Sequence, residues 1–177
     1  MKASVFIATS LDGYIARENG EIDWLPAGDV EEHGYDAFMA SIDTIVFGRS
    51  TYETVLGFGA WPYGAMPVVV LTSKPKALKT LPAPTVSVMS GSPKEIVAKL
   101  GDRGAKHLYV DGGVTIQRFL AAGLIQRLTI TRVPVVLGSG RPLFGPVKHD
   151  VRMRHLRSRT FKSGLVQSEY EVIAPSK

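Results

Sequence analysis

The chain predicts an α/β fold, a three-layer αβα arrangement around a mixed, mostly parallel sheet, and three observations carry that reading. Short apolar runs alternate with helix-like segments through the first 125 residues, which requires parallel pairing with crossover connections. Several of these runs end in glycine, serine or threonine where a helix begins. From residue 125 onward, strand-like runs follow one another without helices, which predicts antiparallel strands added at one edge of the sheet.

The elements follow in order. Lys2–Ser10 (KASVFIATS) is a short apolar run suited to a buried strand, stopped by Leu11-Asp12-Gly13. Tyr35, Phe38, Met39 and Ile42 then fall at i, i+3, i+4 and i+7, one face of an amphipathic helix, with Asp29 or its neighbours at the helix start. DTIVFG is a second strand, and Arg49-Ser50-Thr51-Tyr52-Glu53 opens a short helix that stops among Gly57, Gly59 and Pro62. MPVVVLTS, rich in β-branched residues, is a third strand, and TVSVM a fourth. Ser92-Pro93-Lys94-Glu95 starts a helix with proline at its first position. HLYVDGG is a fifth strand running into paired glycines, after which Ile116, Phe119 and Leu120 mark the inner face of a helix closed by Gly123. RLTITRVPVVLG, the turn Gly138–Pro142, and the runs HLRSRTF and LVQSEYEVI joined by Lys162-Ser163-Gly164 complete the chain.

The 177 residues fit one domain over 1–177, and 45% hydrophobic with 21% charged residues excludes a disordered chain. The absence of cysteine removes disulfides, thiolate metal sites and cysteine nucleophiles. His33, His107, His149 and His155 show no metal-binding spacing, so no catalytic metal is expected. The opening apolar run is too short for a signal peptide or a membrane span, so a cytoplasmic protein without a membrane partner is expected. The net charge of +5 is unevenly placed. Residues 1–147 hold 14 basic and 13 acidic side chains, whereas residues 148–177 hold 7 and 3. Ten acids against Arg17 and Arg49 between Asp12 and Glu53 make a poor footprint for a polyanion, so nucleic acid is not expected.

In an open α/β sheet, ligands collect beyond the carboxyl ends of the strands. Three junctions there suit a phosphorylated ligand. Gly48-Arg49-Ser50-Thr51 offers close backbone approach, two hydroxyls and a guanidinium. Thr72-Ser73-Lys74 offers two hydroxyls and an ammonium. Asp111-Gly112-Gly113-Val114-Thr115 presents backbone N–H groups at a helix start. Each also reads as an ordinary turn or helix start, but three on one sheet edge favour a ligand site. Neither a Walker loop nor G-x-G-x-x-G is present.

In sequence order, Ser10-Leu11-Asp12-Gly13-Tyr14-Ile15-Ala16, Asp23-Trp24-Leu25, Val46–Glu53, Val70–Ser73, Tyr109–Gly113 and Val136–Phe144 resemble the dihydrofolate reductase superfamily. More narrowly, they are similar to the C-terminal reductase domain of bacterial bifunctional riboflavin biosynthesis proteins, over nearly the whole chain. The resemblance implies an NADPH-dependent, usually dimeric reductase. Its cofactor contacts fall on Gly48, Arg49, Ser50 and Thr51, on Thr72, Ser73 and Lys74, and on Gly112, Gly113, Val114 and Thr115. Arg49 and Lys74 would then neutralise the extra ribose phosphate of NADPH. On the substrate side the resemblance singles out Asp12, in the loop flanking the nicotinamide, and an acid at the start of the first helix. Asp29 is the nominal match there, with Glu31, Glu32 and Asp36 competing. Trp61 stands either against a planar substrate or in the core, and the core is favoured. Lacking cysteine for a zinc deaminase, the chain corresponds to the reductase half alone. The expected reaction is reduction of a pyrimidine or pterin-like heterocycle, closest to 5-amino-6-(5-phosphoribosylamino)uracil. Dihydrofolate reduction and a non-catalytic NADPH-binding dimer are the alternatives.

Overall fold

The computed structural model describes residues 1–26, 31–74, 78 and 81–174. Ten strands and four helices form among them. In chain order they are β1 (Lys2–Thr9), β2 (Tyr14–Ala16), α1 (Tyr35–Ser41), β3 (Thr44–Gly48), α2 (Arg49–Leu56), β4 (Val68–Leu71) and β5 (Val86–Met89). Then come α3 (Pro93–Asp102), β6 (His107–Asp111), α4 (Gly113–Ala121), β7 (Arg127–Arg132), β8 (Arg141–Pro142), β9 (Met153–Thr160) and β10 (Val166–Val172). Eight strands make one sheet in the order β5-β4-β3-β6-β1-β7-β10-β9. Pairing is parallel from β5 to β7 and antiparallel from β7 through β10 to β9, as the change of pattern after residue 125 predicts.

Alternation along the parallel strands builds two apolar layers. Val46, Val69, Leu108 and Val110 point to one face, where α3 contributes Ile96 and Leu100 and α4 contributes Ile116, Phe119 and Leu120. Ile45, Phe47, Val68, Val70 and Tyr109 point to the other face, against Phe38, Met39 and Ile42 of the α1 region and Tyr52 of α2. Trp61 packs in this second layer, beside Tyr52 and Tyr63, on the core side of the two readings. The start of α3 is a full capping box. Ser92 Oγ accepts from the Glu95 N–H, and the Glu95 carboxylate accepts from the Ser92 N–H.

One feature escapes sequence periodicity. β2 and β8 form a two-stranded antiparallel ribbon, Tyr14 opposite Pro142 and Ala16 opposite Arg141, where the sequence reads only turns. Strands of three and two residues are too short to show a period of two, and their partners lie more than 120 positions apart. Gly140 is what lets them meet, since a side chain there would bring its Cβ within 2.4 Å of the Ala16 carbonyl oxygen. The ribbon hangs over the carboxyl ends of β1 and β6 and narrows the space below it.

Three arginines of the basic C-terminal edge are held by neighbours, two of them by acids of the adjacent strand. Arg157 Nε donates to Glu169 at 2.8 Å, Arg154 pairs with Glu171, and Arg159 stacks over Phe161 while donating to the Glu32 carbonyl. The hairpin turn before β10 is capped from the front half of the chain, because the Glu31 carboxylate accepts from the N–H groups of Lys162 and Ser163. Among the described residues no helix is long and apolar enough to cross a membrane.

Candidate functional site

β3 and β6 are neighbours, yet the helices that leave them pack on opposite faces. α2 places Tyr52 in one apolar layer and α4 places Ile116 and Phe119 in the other. This is the topological switch point of the sheet, where the outgoing chains diverge and leave a crevice. The crevice opens into a cleft of about 860 Å³ that runs from the β2–β8 ribbon, across the starts of α2 and α4, to Leu71 and Gly91 at the ends of β4 and β5.

The two helix starts interlock. A Cβ on Gly48 would stand 3.1 Å from Thr115 Oγ1, and one on Gly112 would stand 2.4 Å from Thr51 Oγ1. Gly112 also has φ +86°, a region that L side chains rarely adopt. Glycine at both positions therefore lets the starts of α2 and α4 approach side by side. Neither helix has a side-chain cap or an acid in its first turn. α3, away from the crevice, has both. The positive ends of two helix dipoles consequently face the cleft with no acid in either first turn, an arrangement suited to a phosphate group.

Beside those amides lies Asp111, the last residue of β6, and it is the acid that sequence reasoning passed over. Burial pushes its carboxyl up from the ordinary 3.8 to about 6, with the Gly112 N–H pulling the other way. Tyr63 and Tyr109 also line the cleft, and Tyr35 lies close enough for the Asp111 charge to act on it. Burial first, and the Asp111 charge second, raise the hydroxyl pKa of all three tyrosines. They therefore stay neutral, and Tyr109 Oη donates to the Phe6 carbonyl at 2.8 Å. The available sequence signal is a charged residue closing the otherwise apolar run HLYV, which the glycine pair after it draws into a phosphate reading.

The expected site residues are placed as follows. Gly48, Arg49, Ser50, Thr51, Gly112, Gly113, Val114 and Thr115 all line the cleft. Arg49 does so with its Nε 2.7 Å from Glu53, one turn along α2. Leu71 is the last lining residue of β4, so Thr72, Ser73 and Lys74 stand outside the wall, where Thr72 Oγ1 accepts from the Lys74 N–H. Asp12 is outside it as well. Its carboxylate accepts from Ser10 Oγ at 2.6 Å and from the Leu137 and Gly138 N–H groups, tying the loop after β1 to the loop after β7. The Ser10 bond, aided by those amides against some desolvation, holds it below the usual carboxylate range. Glu32 is exposed and engages Arg159 through its backbone carbonyl. Asp29 lies outside the described residues. Arg141, at the end of the Gly138–Arg141 turn, lines the cleft, as does Arg118, which the sequence does not single out. Among the described residues no group of three or more His, Asp or Glu gathers to hold a metal ion.

Comparison with known proteins agrees with this fold. A crystal structure of a Shewanella sp. PV-4 protein, provisionally named a riboflavin biosynthesis protein, superposes with a TM-score of 0.86 at 39% identity, covering 98% of this chain and all of that one. The uncharacterized protein YwjB of Bacillus subtilis is 33% identical over 163 residues, 90% of this chain and 92% of the relative. At the level of fold alone, dihydrofolate reductase from Enterococcus faecalis, solved as a complex with NADP(H) and RAB-propyl, matches with a TM-score of 0.66 at 19% identity, over 97% of this chain and 96% of that one. Residues 2–167 match the RibD C-terminal domain, and the chain belongs to that family.

Proposed function

We propose that the protein is an NADPH-dependent reductase of a pyrimidine or pterin-like heterocycle, closest in type to 5-amino-6-(5-phosphoribosylamino)uracil reductase. The observation that carries this reading is the switch-point crevice, in which two acid-free helix starts adjoin a carboxyl with a raised pKa. The residues present fit a dinucleotide phosphate. Gly48 and Gly112 let the starts of α2 and α4 lie side by side at the cleft, where Ser50, Thr51, Val114 and Thr115 line it.

When bound, NADPH would supply a hydride. Reduction of a polarised C=N or C=O bond also consumes one proton, and supplying it falls to the protein or to water. Asp111, which burial raises to about 6, keeps a proton to higher pH than an ordinary aspartate and can exchange one in mildly acid solution. Tyr63, Tyr109 and Phe6 give that end of the cleft an aromatic wall. The β2–β8 ribbon forms the roof, through Ile15, Ala16 and Pro142. The homodimer that the resemblance implies is part of this proposal, and light scattering on the purified chain tests it.

Loss of NADPH absorbance, measured in parallel with the ribosylaminouracil phosphate and with dihydrofolate, tests the activity. Turnover of the first supports the reading, and faster turnover of dihydrofolate replaces it with folate reduction. NADPH binding without turnover of either substrate leaves a nucleotide-binding module.

A further inference from the structure

Three arginines line the cleft, and their surroundings differ. Arg49 is matched by Glu53 at 2.7 Å. Arg141 belongs to the ribbon, at the opposite end from β5, and donates through Nε to the Glu18 carbonyl at 3.3 Å. Arg118 is an exposed residue of α4 that leans toward the loop between β5 and α3, where Nη2 donates to the Gly91 carbonyl at 3.4 Å. It forms no ion pair among the described residues. Glu95, in the first turn of α3, is engaged in the capping box, its Oε2 accepting from the Ser92 N–H at 2.7 Å and from Ser92 Oγ at 2.9 Å.

We infer that Arg118 is the residue that selects NADPH over NADH, by binding the phosphate on the adenosine ribose. The inference rests on the cofactor reading above and assigns a residue to it. A dinucleotide whose pyrophosphate meets the starts of α2 and α4, with its reacting end beside Asp111 and the ribbon, directs its adenosine toward Leu71, Gly91 and Pro93. Arg118 lies at that end, five residues or about 7.5 Å along α4 from Gly113. A guanidinium without a carboxylate partner presents a planar fork to a phosphate dianion, whereas Arg49 must first give up Glu53 and Lys74 stands outside the cleft wall.

The test is fluorescence titration of the wild type, Arg118→Ala, Arg118→Lys and Arg49→Ala with NADPH and with NADH, each protein checked for folding by circular dichroism. Arg118→Ala is expected to weaken NADPH binding by about 10- to 100-fold while leaving NADH within about twofold. Arg118→Lys, which keeps the charge and loses the fork, is expected to fall between the two, and Arg49→Ala to change the ratio less than Arg118→Ala does. An unchanged NADPH-to-NADH ratio in Arg118→Ala, with the wild type preferring NADPH, overturns the assignment and leaves the cofactor reading standing. Equal wild-type affinity for the two nucleotides also overturns it. A wild type that binds neither overturns the assignment and the cofactor reading together.

Discussion

Replacing Asp111 by asparagine removes an ionisation that the fold disfavours, and the consequence is a change in how stability depends on pH. In the folded chain the carboxyl titrates at about 6, against 3.8 ordinarily. At about 1.4 kcal/mol per pH unit, that difference corresponds to about 3 kcal/mol. The residue keeps a partly exposed edge, so solvent reduces the effect to about 1–3 kcal/mol. The sign follows from proton counting. Between about pH 4 and pH 6 the native state holds the Asp111 proton while the unfolded chain has lost it, so this group makes stability fall as pH rises and then level off. Burial lowers the pKa of His107, which works in the opposite direction, and the low carboxylates of Asp12, Glu31 and Glu95 do so at more acid pH. The quantity to measure is therefore the difference between variant and wild type. Urea unfolding at about pH 4 and about pH 8 is expected to show Asp111→Asn gaining about 1–3 kcal/mol on the wild type across that interval. A difference that stays flat, or that moves in favour of the wild type as pH rises, would refute the argument, because it would mean that the fold stabilises the Asp111 charge.

Three further changes probe the scaffold around the cleft. Gly112→Ala places a Cβ 2.4 Å from Thr51 Oγ1 at φ +86°, adding about 1–3 kcal/mol of backbone strain to the clash, and the melting temperature is expected to drop. Adding Thr51→Ala should recover the contact part of that loss and leave the backbone part. Phe119→Ala empties a fully buried position between α4 and the sheet and is expected to cost about 3–5 kcal/mol in chemical denaturation. Asp12→Ala removes the acceptor for the Leu137 and Gly138 amides, so faster hydrogen exchange at those two N–H groups is expected. Protection equal to the wild type would show that the two loops hold together without it.

Much of this was legible in one dimension because it depends on neighbours along the chain. The strand–helix alternation, the helix start at Ser92-Pro93-Lys94-Glu95, and the junctions at Gly48 and Gly112 are local patterns, and all reappear as elements of the fold. Asp12 was visible as a turn residue, but its partners at Leu137 and Gly138 were not, since they lie 125 and 126 positions away. The C-terminal surplus of basic residues is visible in the count, but which arginine meets which acid is set by cross-strand register, which puts Arg157 opposite Glu169. A charge count has no access to register.

By itself the amino-acid sequence determined the class of fold, the family resemblance and the two helix starts that border the cleft, because hydrophobic period, glycine placement and capping chemistry act over a few residues. Only the tertiary structure decided what those starts face. Strand order made β3 and β6 neighbours, opposite crossovers opened a crevice between their helices, and burial within it gave Asp111 a proton that an exposed aspartate would have lost. The same packing held Arg49 to Glu53 and, among the described residues, left Arg118 without an ion pair. A side chain's charge state and its available partners are set by desolvation and by distance in space, and folding brings those about between residues far apart in the chain.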